Sequence, residues 1–389
     1  MKETTLRGIA LLLALFLLSC VNTILADAEE GNLMPPVQIA AKAAVLMDAS
    51  TGRVLVNFNE NERLYPASVT KVMTLLLVAE ALESGKLKLG DTIVASGAAA
   101  AKGGSQLWLK EGETMTVEEL LKATAIYSAN DASCALGEAI AGSEEAFVRL
   151  MNERAGELGM TNTTFVNCTG LDDDTTEHLT TALDIALMSR ELLGHEVVIK
   201  YSTIWMDSLR EGATELVNTN RLVRFYEGAT GIKTGTTGKA GCCIAASARR
   251  GETHLVAVVL GSGNSDDRFE TAKRLLNWGF ANFATVKAQV APSLLTPVRV
   301  LRGAQQWIRP APPAAMPILV PKGSEGGLQQ SVALAPDLQA PVEAGQIIGK
   351  VTVTLDGETV GEFPLVAPEP VARLDFFTQL KRLVAALIG

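Results

Sequence analysis

The sequence predicts an α+β protein, an antiparallel sheet flanked by helices in one domain, followed by a second, smaller all-β domain. Three observations predict it. Strand-like runs at both ends of the first 285 residues enclose a stretch from 68 to 195 that reads as mostly helical. Composition shifts after about Val290, where Pro310, Pro312, Pro313 and Pro317 cluster ahead of short alternating runs. At 389 residues the chain also exceeds what one hydrophobic core usually organises.

In chain order, Lys2 and Arg7 give a positive start, Gly8 to Leu18 an apolar run and Ala26-Asp27-Ala28 a small-residue cleavage site. Residues 1–28 are therefore expected to be an export signal cut after Ala28. A lipoprotein reading competes, because Leu17-Leu18-Ser19-Cys20 could present Cys20 for lipidation. Ala43 to Asp48 and Arg53 to Asn57 are apolar runs separated by Ala49-Ser50-Thr51-Gly52, a hairpin pattern. Ser68 to Leu82 has no Gly or Pro and stops at Gly85, which predicts a helix.

Thr116-Val117-Glu118-Glu119 has capping-box spacing and opens a helix toward Ser128. Asp131 to Ala141, Glu144 to Leu158, and a stretch capped by Thr180 or Thr181 that runs to Leu193 follow as helices. Thr230 to Thr237, Cys242 to Ala248 and Leu255 to Leu260 read as strands, and Asp266 to Phe280 as a closing helix. These segments define a domain over residues 36–285. Residues 290–368 form the β-rich one, with a hairpin at Asp356-Gly357. In residues 372–389, Phe376, Phe377, Leu380, Leu383, Val384 and Leu387 recur at helical spacing. The sixteen residues from Leu374 to Gly389 reach only about 24 Å, short of the ~20 apolar residues a span needs, so the expectation is an amphipathic helix lying in a membrane interface, with a helix docked on its own domain as the competing reading.

The formal charge of -9 and the lack of a Lys/Arg stripe argue against nucleic acid as a partner. If Cys20 leaves with the signal, Cys134, Cys168, Cys242 and Cys243 remain without a C-x-x-C pair, and they read as buried small hydrophobes. His178, His195 and His254 are too scattered to suggest a metal site or a histidine-based triad, so no metal and no cofactor is expected.

Three short motifs carry chemistry: Ser68-Val69-Thr70-Lys71, Ser128-Ala129-Asn130 and Lys233-Thr234-Gly235. They match the S-x-x-K, S-D-N and K-T-G set of penicillin-binding proteins and class A β-lactamases. Three residues on a helix put the Ser68 hydroxyl and the Lys71 amine on one face. A serine hydroxyl is a weak nucleophile until a base takes its proton, and Lys71 serves only when neutral, which demands a pKa depression of roughly 3 units. Burial and the second cation Lys233 are expected to supply it. Ser128 is expected to relay a proton to the leaving amine, and Asn130 to hydrogen-bond the substrate amide. The backbone N–H groups of Ser68 and Thr236 would form the oxyanion hole.

With Pro66-Ala67-Ser68, Asn130-Asp131-Ala132, Gly159-Met160 with Asn162, Phe165-Val166-Asn167 and Gly170-Leu171-Asp172 added, the chain from about Ala41 onward resembles the low-molecular-mass penicillin-binding proteins, the D-alanyl-D-alanine carboxypeptidases. The resemblance implies a transpeptidase-like domain, a β-rich domain and a membrane anchor on the outer face of the cytoplasmic membrane. It implies that Ser68 attacks the penultimate D-alanine of peptidoglycan stem peptides and is acylated by β-lactam antibiotics. Lys233, Thr234, Gly235, Thr236 and Arg268 would meet the substrate, Arg268 standing where the family has an arginine near the terminal carboxylate. A solvated first-turn arginine is the competing reading for Arg268. Two departures are Thr236, where some relatives carry histidine, and Ala129, where glycine is usual; its methyl is expected to tighten the cleft. A class A β-lactamase is the nearest rival, but no E-x-x-L-N string lies between Gly156 and Ala182. A catalytically silent cell-wall-binding protein is the other.

Overall fold

The computed structural model describes residues 36–375 together with Thr378, Leu380 and Val384, so the expected leader, Cys20 and most of the expected terminal helix lie outside the described residues. The central sheet is built from β1 (Ala43–Asp48), β2 (Val54–Phe58), β3 (Ala229–Thr237), β4 (Gly241–Arg250) and β5 (Thr253–Ser262), in the order β2-β1-β5-β4-β3, every neighbour antiparallel. N- and C-terminal strands thus share one sheet.

Both faces of that sheet are covered, which is why its inner strands read as unbroken apolar runs. Val45 and Met47 of β1, with Val256 and Val258 of β5, pack into the helical cluster. Their alternates Ala44, Leu46, Leu255 and Ala257 pack instead against Phe269, Leu275, Leu276 and Phe280 of the closing helix, Ser265–Asn282. A register slip of one residue would exchange the two sets, so pairing is strongly specified.

On the other face, α1 (Lys71–Glu83) is buried along most of its length, as befits a helix that is apolar all round. It is preceded by a single 3₁₀ turn, Ala67–Thr70, so Ser68 stands in that turn and not in the α-helix expected from 68. The left-handed Ala67 (φ 48°) sets the turn's entry, and Lys71 N–H reaches back to Ser68 O, tightening it. The capping box at Thr116 is present, but the α-helix it starts ends at Lys122 and continues as a π turn over Ala123–Tyr127. The turn widens because Ala129 N–H closes on Ala123 O at 3.1 Å while Ile126 O accepts from Thr219 N–H at 3.1 Å. The sequence pattern of apolar residues cannot distinguish the two helix types. Then come α2 (Asn130–Ala141), α3 (Glu144–Glu157) and α4 (Ala182–Leu192), the last capped by Thr181.

From Phe283 to Val366 the regular elements of the described chain are strands, apart from two short 3₁₀ turns. Phe283–Lys287 pairs with Pro317–Pro321, Val298–Leu301 lies between Trp307–Ile308 and Asp337–Gln339, and Ile347–Leu355 lies between Leu328–Leu334 and Glu358–Val366. The last hairpin turns at Asp356 (φ 51°) and Gly357 (φ 88°), the pair of positive φ angles a type I′ turn needs. This is the α+β layout with a smaller all-β part that the patterning predicts. Among the described residues no helix is long and apolar enough to cross a membrane.

Candidate active site

The 3₁₀ turn brings the hydroxyl and the amine together: Lys71 Nζ lies 3.0 Å from Ser68 Oγ. It also donates to Asn130 Oδ1 at 2.5 Å and to Thr169 O at 2.8 Å. This contact set suits both protonation states. An ammonium donates to all three oxygens; a neutral amine donates to Asn130 and Thr169 and accepts the Ser68 proton on its lone pair. The proton between residues 68 and 71 is therefore free to move while every other bond stays in place.

Lys71 is fully buried, and burial is the main cause lowering its pKa from 10.5 to about 7, against the opposing pull of Cys168 and Asp131. A shift of this size is worth ~5 kcal/mol of preference for the neutral form. Lys233 is fully buried too, and its pKa is also driven well down, by burial first and then by Lys71 and Arg268. Of the two expected causes, burial is the one that lowers Lys71; Lys233 is not among the causes acting on it. Desolvation acts on both amines, and repulsion from Lys71 and Arg268 is a lesser cause on Lys233 alone.

Strand β3 lies against the 3₁₀ turn that carries Ser68. Gly235 is required there, since a Cβ would stand 2.7 Å from Ser68 N and 2.9 Å from Pro66 O. Thr234 Oγ1 donates to Thr219 Oγ1 at 2.7 Å, a partner the sequence reading missed because Asn218-Thr219-Asn220 carries only turn signals. Arg268 is not a solvated arginine: it is 6% exposed and donates to Gly235 O, Thr236 Oγ1, Cys243 O and Ser265 Oγ at 3.0–3.3 Å. It supports the strand from below while adding positive charge beneath it.

Ser128 follows the π turn in the left-handed conformation (φ 69°), and its buried Oγ has no hydrogen-bond partner among the described residues. An orphaned buried hydroxyl costs about 1–3 kcal/mol, a price tolerated where a substrate completes the pairing. Asn130 has a partner at each end of its amide, Lys71 Nζ at Oδ1 and Gly103 O at 2.7 Å from Nδ2, so it positions the amine while its second Nδ2 hydrogen is left for the expected bond to a substrate amide. Ala129 is buried in the helical core, so its methyl does not narrow the cleft.

A loop over residues 166–172 closes the site from beneath. Asn167 Oδ1 accepts from the N–H groups of Thr169 and Gly170, which turns the Thr169 carbonyl toward Lys71. His178 accepts from Val166 N–H on Nδ1, which leaves Nε2 as the donor to Thr70 Oγ1 at 2.8 Å; Thr70 in turn donates to Ala67 O. Buried Asp131 accepts from Leu107 and Leu109 N–H groups at 3.0 Å, tying down the wall opposite the loop. Beside Ser128 a groove of about 840 Å³ is lined by Gln106, Trp108, Tyr127, Arg210, Thr214 and Glu215. A smaller recess of about 240 Å³ borders Lys102, Asn167, Thr169 and Leu171.

Comparison with known proteins places this site in context. Residues 29–264 match the family model described as D-alanyl-D-alanine carboxypeptidase, and residues 283–373 match that of the penicillin-binding protein 5 C-terminal domain. The chain is 40% identical to the D-alanyl-D-alanine carboxypeptidase DacF of Bacillus subtilis, covering 96% of each. The solved penicillin-binding protein 5 of Haemophilus influenzae superposes with a TM-score of 0.76 at 32% identity, over 87% of this chain and 99% of that one. Penicillin-binding protein D2 of Listeria monocytogenes, solved in its ampicillin-bound form, aligns at 31% identity and a TM-score of 0.58, over 63% of this chain and 99% of that one.

Proposed function

The chain belongs to the D-alanyl-D-alanine carboxypeptidase family, serine peptidases that bind penicillin, and from that premise we propose a role for each residue of the site. Ser68 Oγ attacks the carbonyl carbon of the penultimate D-alanine of a peptidoglycan stem peptide while its proton passes to the neutral amine of Lys71. The tetrahedral oxyanion is held by the backbone N–H groups of Ser68 and Thr236. The C–N bond breaks, and Ser128 conveys the proton to the departing D-alanine amine. Water then cleaves the Ser68 ester by the reverse proton path. A β-lactam enters the same first step.

The observation that carries this reading is the 3.0 Å contact between Ser68 Oγ and a buried Lys71 whose pKa is lowered to about 7. The terminal carboxylate lies along β3, where Thr234, Gly235 and Thr236 meet it, and its charge favours the ammonium form of Lys233. Arg268 acts through the strand. We further propose that the enzyme is exported and held at the outer face of the cytoplasmic membrane by its terminal amphipathic helix. Ser68→Ala should abolish both D-alanine release from a synthetic peptide ending in two D-alanines and covalent labelling by a fluorescent penicillin. Undiminished peptide hydrolysis by that variant would end the assignment.

A further inference from the structure

One cluster of ligating side chains takes no part in this chemistry. Cys134 on α2, Cys168 in the loop beneath the site and Glu144 at the start of α3 each offer one atom, and the three atoms lie within 4.8 Å of one another. Both cysteines are fully buried and free. Cys168 Sγ donates to Glu144 Oε1 at 3.3 Å, and Cys168 N–H points at the same oxygen. The other carboxylate oxygen, Oε2, is paired with Lys102.

We propose that Cys134, Cys168 and Glu144 form a binding site for a thiophilic divalent cation of the zinc class. Zinc bonds of ~2.3 Å to sulfur and ~2.0–2.2 Å to a carboxylate oxygen, at tetrahedral angles, put ligand atoms about 3.5–3.8 Å apart. The three atoms already stand near that spacing, so closure asks for side-chain shifts of about 1 Å or less. The charges also favour a cation. Two thiolates, Glu144 and Glu138, whose Oε1 accepts from Cys134 Sγ at 3.8 Å, outweigh the Lys102 ammonium, so the surroundings attract a divalent cation.

The surroundings fit as well. The oxygen that faces the sulfurs is not the one Lys102 holds, so the lysine orients the carboxylate without competing for the ligating atom. Three protein ligands leave a fourth position for water. A recess of about 240 Å³ lies next to the cluster, bordered by Lys102, which holds Glu144, and by Asn167 and Thr169, the chain neighbours of Cys168. The site adjoins the reacting groups through the chain itself. Cys168 precedes Thr169, whose carbonyl receives Lys71, and Cys134 lies one turn after Asn130 on α2.

Cobalt(II) is the probe, added to the purified full chain after its thiols have been reduced and counted. One equivalent should produce a thiolate-to-cobalt charge-transfer band that zinc(II) displaces. The band should vanish in Cys134→Ser and in Cys168→Ser, and Glu144→Gln should weaken binding at least about tenfold. Each variant is checked for folding by its covalent penicillin labelling. No band from the reduced wild-type chain would overturn the proposal. So would a band that survives both cysteine substitutions, or a Cys134–Cys168 disulfide in the protein recovered from cells.

Discussion

Asn130 Oδ1 lies 2.5 Å from Lys71 Nζ while the other end of the same amide donates to Gly103 O at 2.7 Å, so one neutral side chain fixes the amine without charging its surroundings. An aspartate in that place would keep the oxygen and add an anion. Such a partner raises a neighbouring cation's pKa by about 1–3 units. In the native enzyme, acylation by a fluorescent penicillin should rise about tenfold per pH unit up to about pH 7 and level off above it, because the neutral fraction of Lys71 grows until its pKa is passed. Asn130→Asp should move that inflection to higher pH. An unmoved inflection, or a flat native profile from pH 5 to 8, would remove Lys71 as the base.

Gly170 (φ 88°) faces the Ser68 turn so closely that a Cβ would stand 1.8 Å from Ala67 O and 2.8 Å from Thr70 Oγ1. Gly159 has a similar φ of 74° but open space around it. Gly159→Ala should therefore cost only the dihedral penalty, about 1–2 kcal/mol, and leave penicillin labelling intact. Gly170→Ala adds the clash, so it should displace Ser68 and lose labelling as well as stability. Thermal melts and labelling measured side by side test this, and equal behaviour of the two variants would refute it.

His178 is held neutral by burial and by Lys71, with its pKa lowered to about 4. The unfolded chain takes up this proton near pH 6.5, earlier than the folded one, so the histidine's contribution is complete above pH 6.5 and lost as pH falls toward 4. A shift of that size corresponds to about 3 kcal/mol. His178→Gln, which can still donate to Thr70, should flatten the fall in urea-unfolding free energy between pH 6.5 and 4. His254, lowered in the same direction by burial, should retain its own share of the slope. An unchanged slope in the variant would show that His178 does not carry this coupling.

Deleting residues 374–389 should release an active enzyme from cell membranes. The expected anchor buries its apolar stripe in the interface and carries no site residue, so peptide hydrolysis and membrane association should separate. Full retention of the truncated chain in the membrane fraction would discard the anchor.

Much was legible in the sequence because local chemistry determined it. The alternate apolar residues of β1 and β5, the capping box at Thr116 and the Asp356-Gly357 turn each satisfy a backbone or burial demand within a few residues. The S-x-x-K spacing likewise places a hydroxyl and an amine one turn apart whatever surrounds them. Four features needed the tertiary structure. The π turn before Ser128 depends on a long-range backbone bond from Thr219, and the 3₁₀ turn at Ser68 stands against Gly235 of a distant strand; no hydrophobic period encodes either. Thr219 meets Thr234 because a turn distant in sequence folds over β3. The buried state of Arg268 depends on where the closing helix packs. The neutrality of Lys71 is the fourth: a lysine's pKa is set by the water it loses, and how much is lost follows from packing, not from spacing.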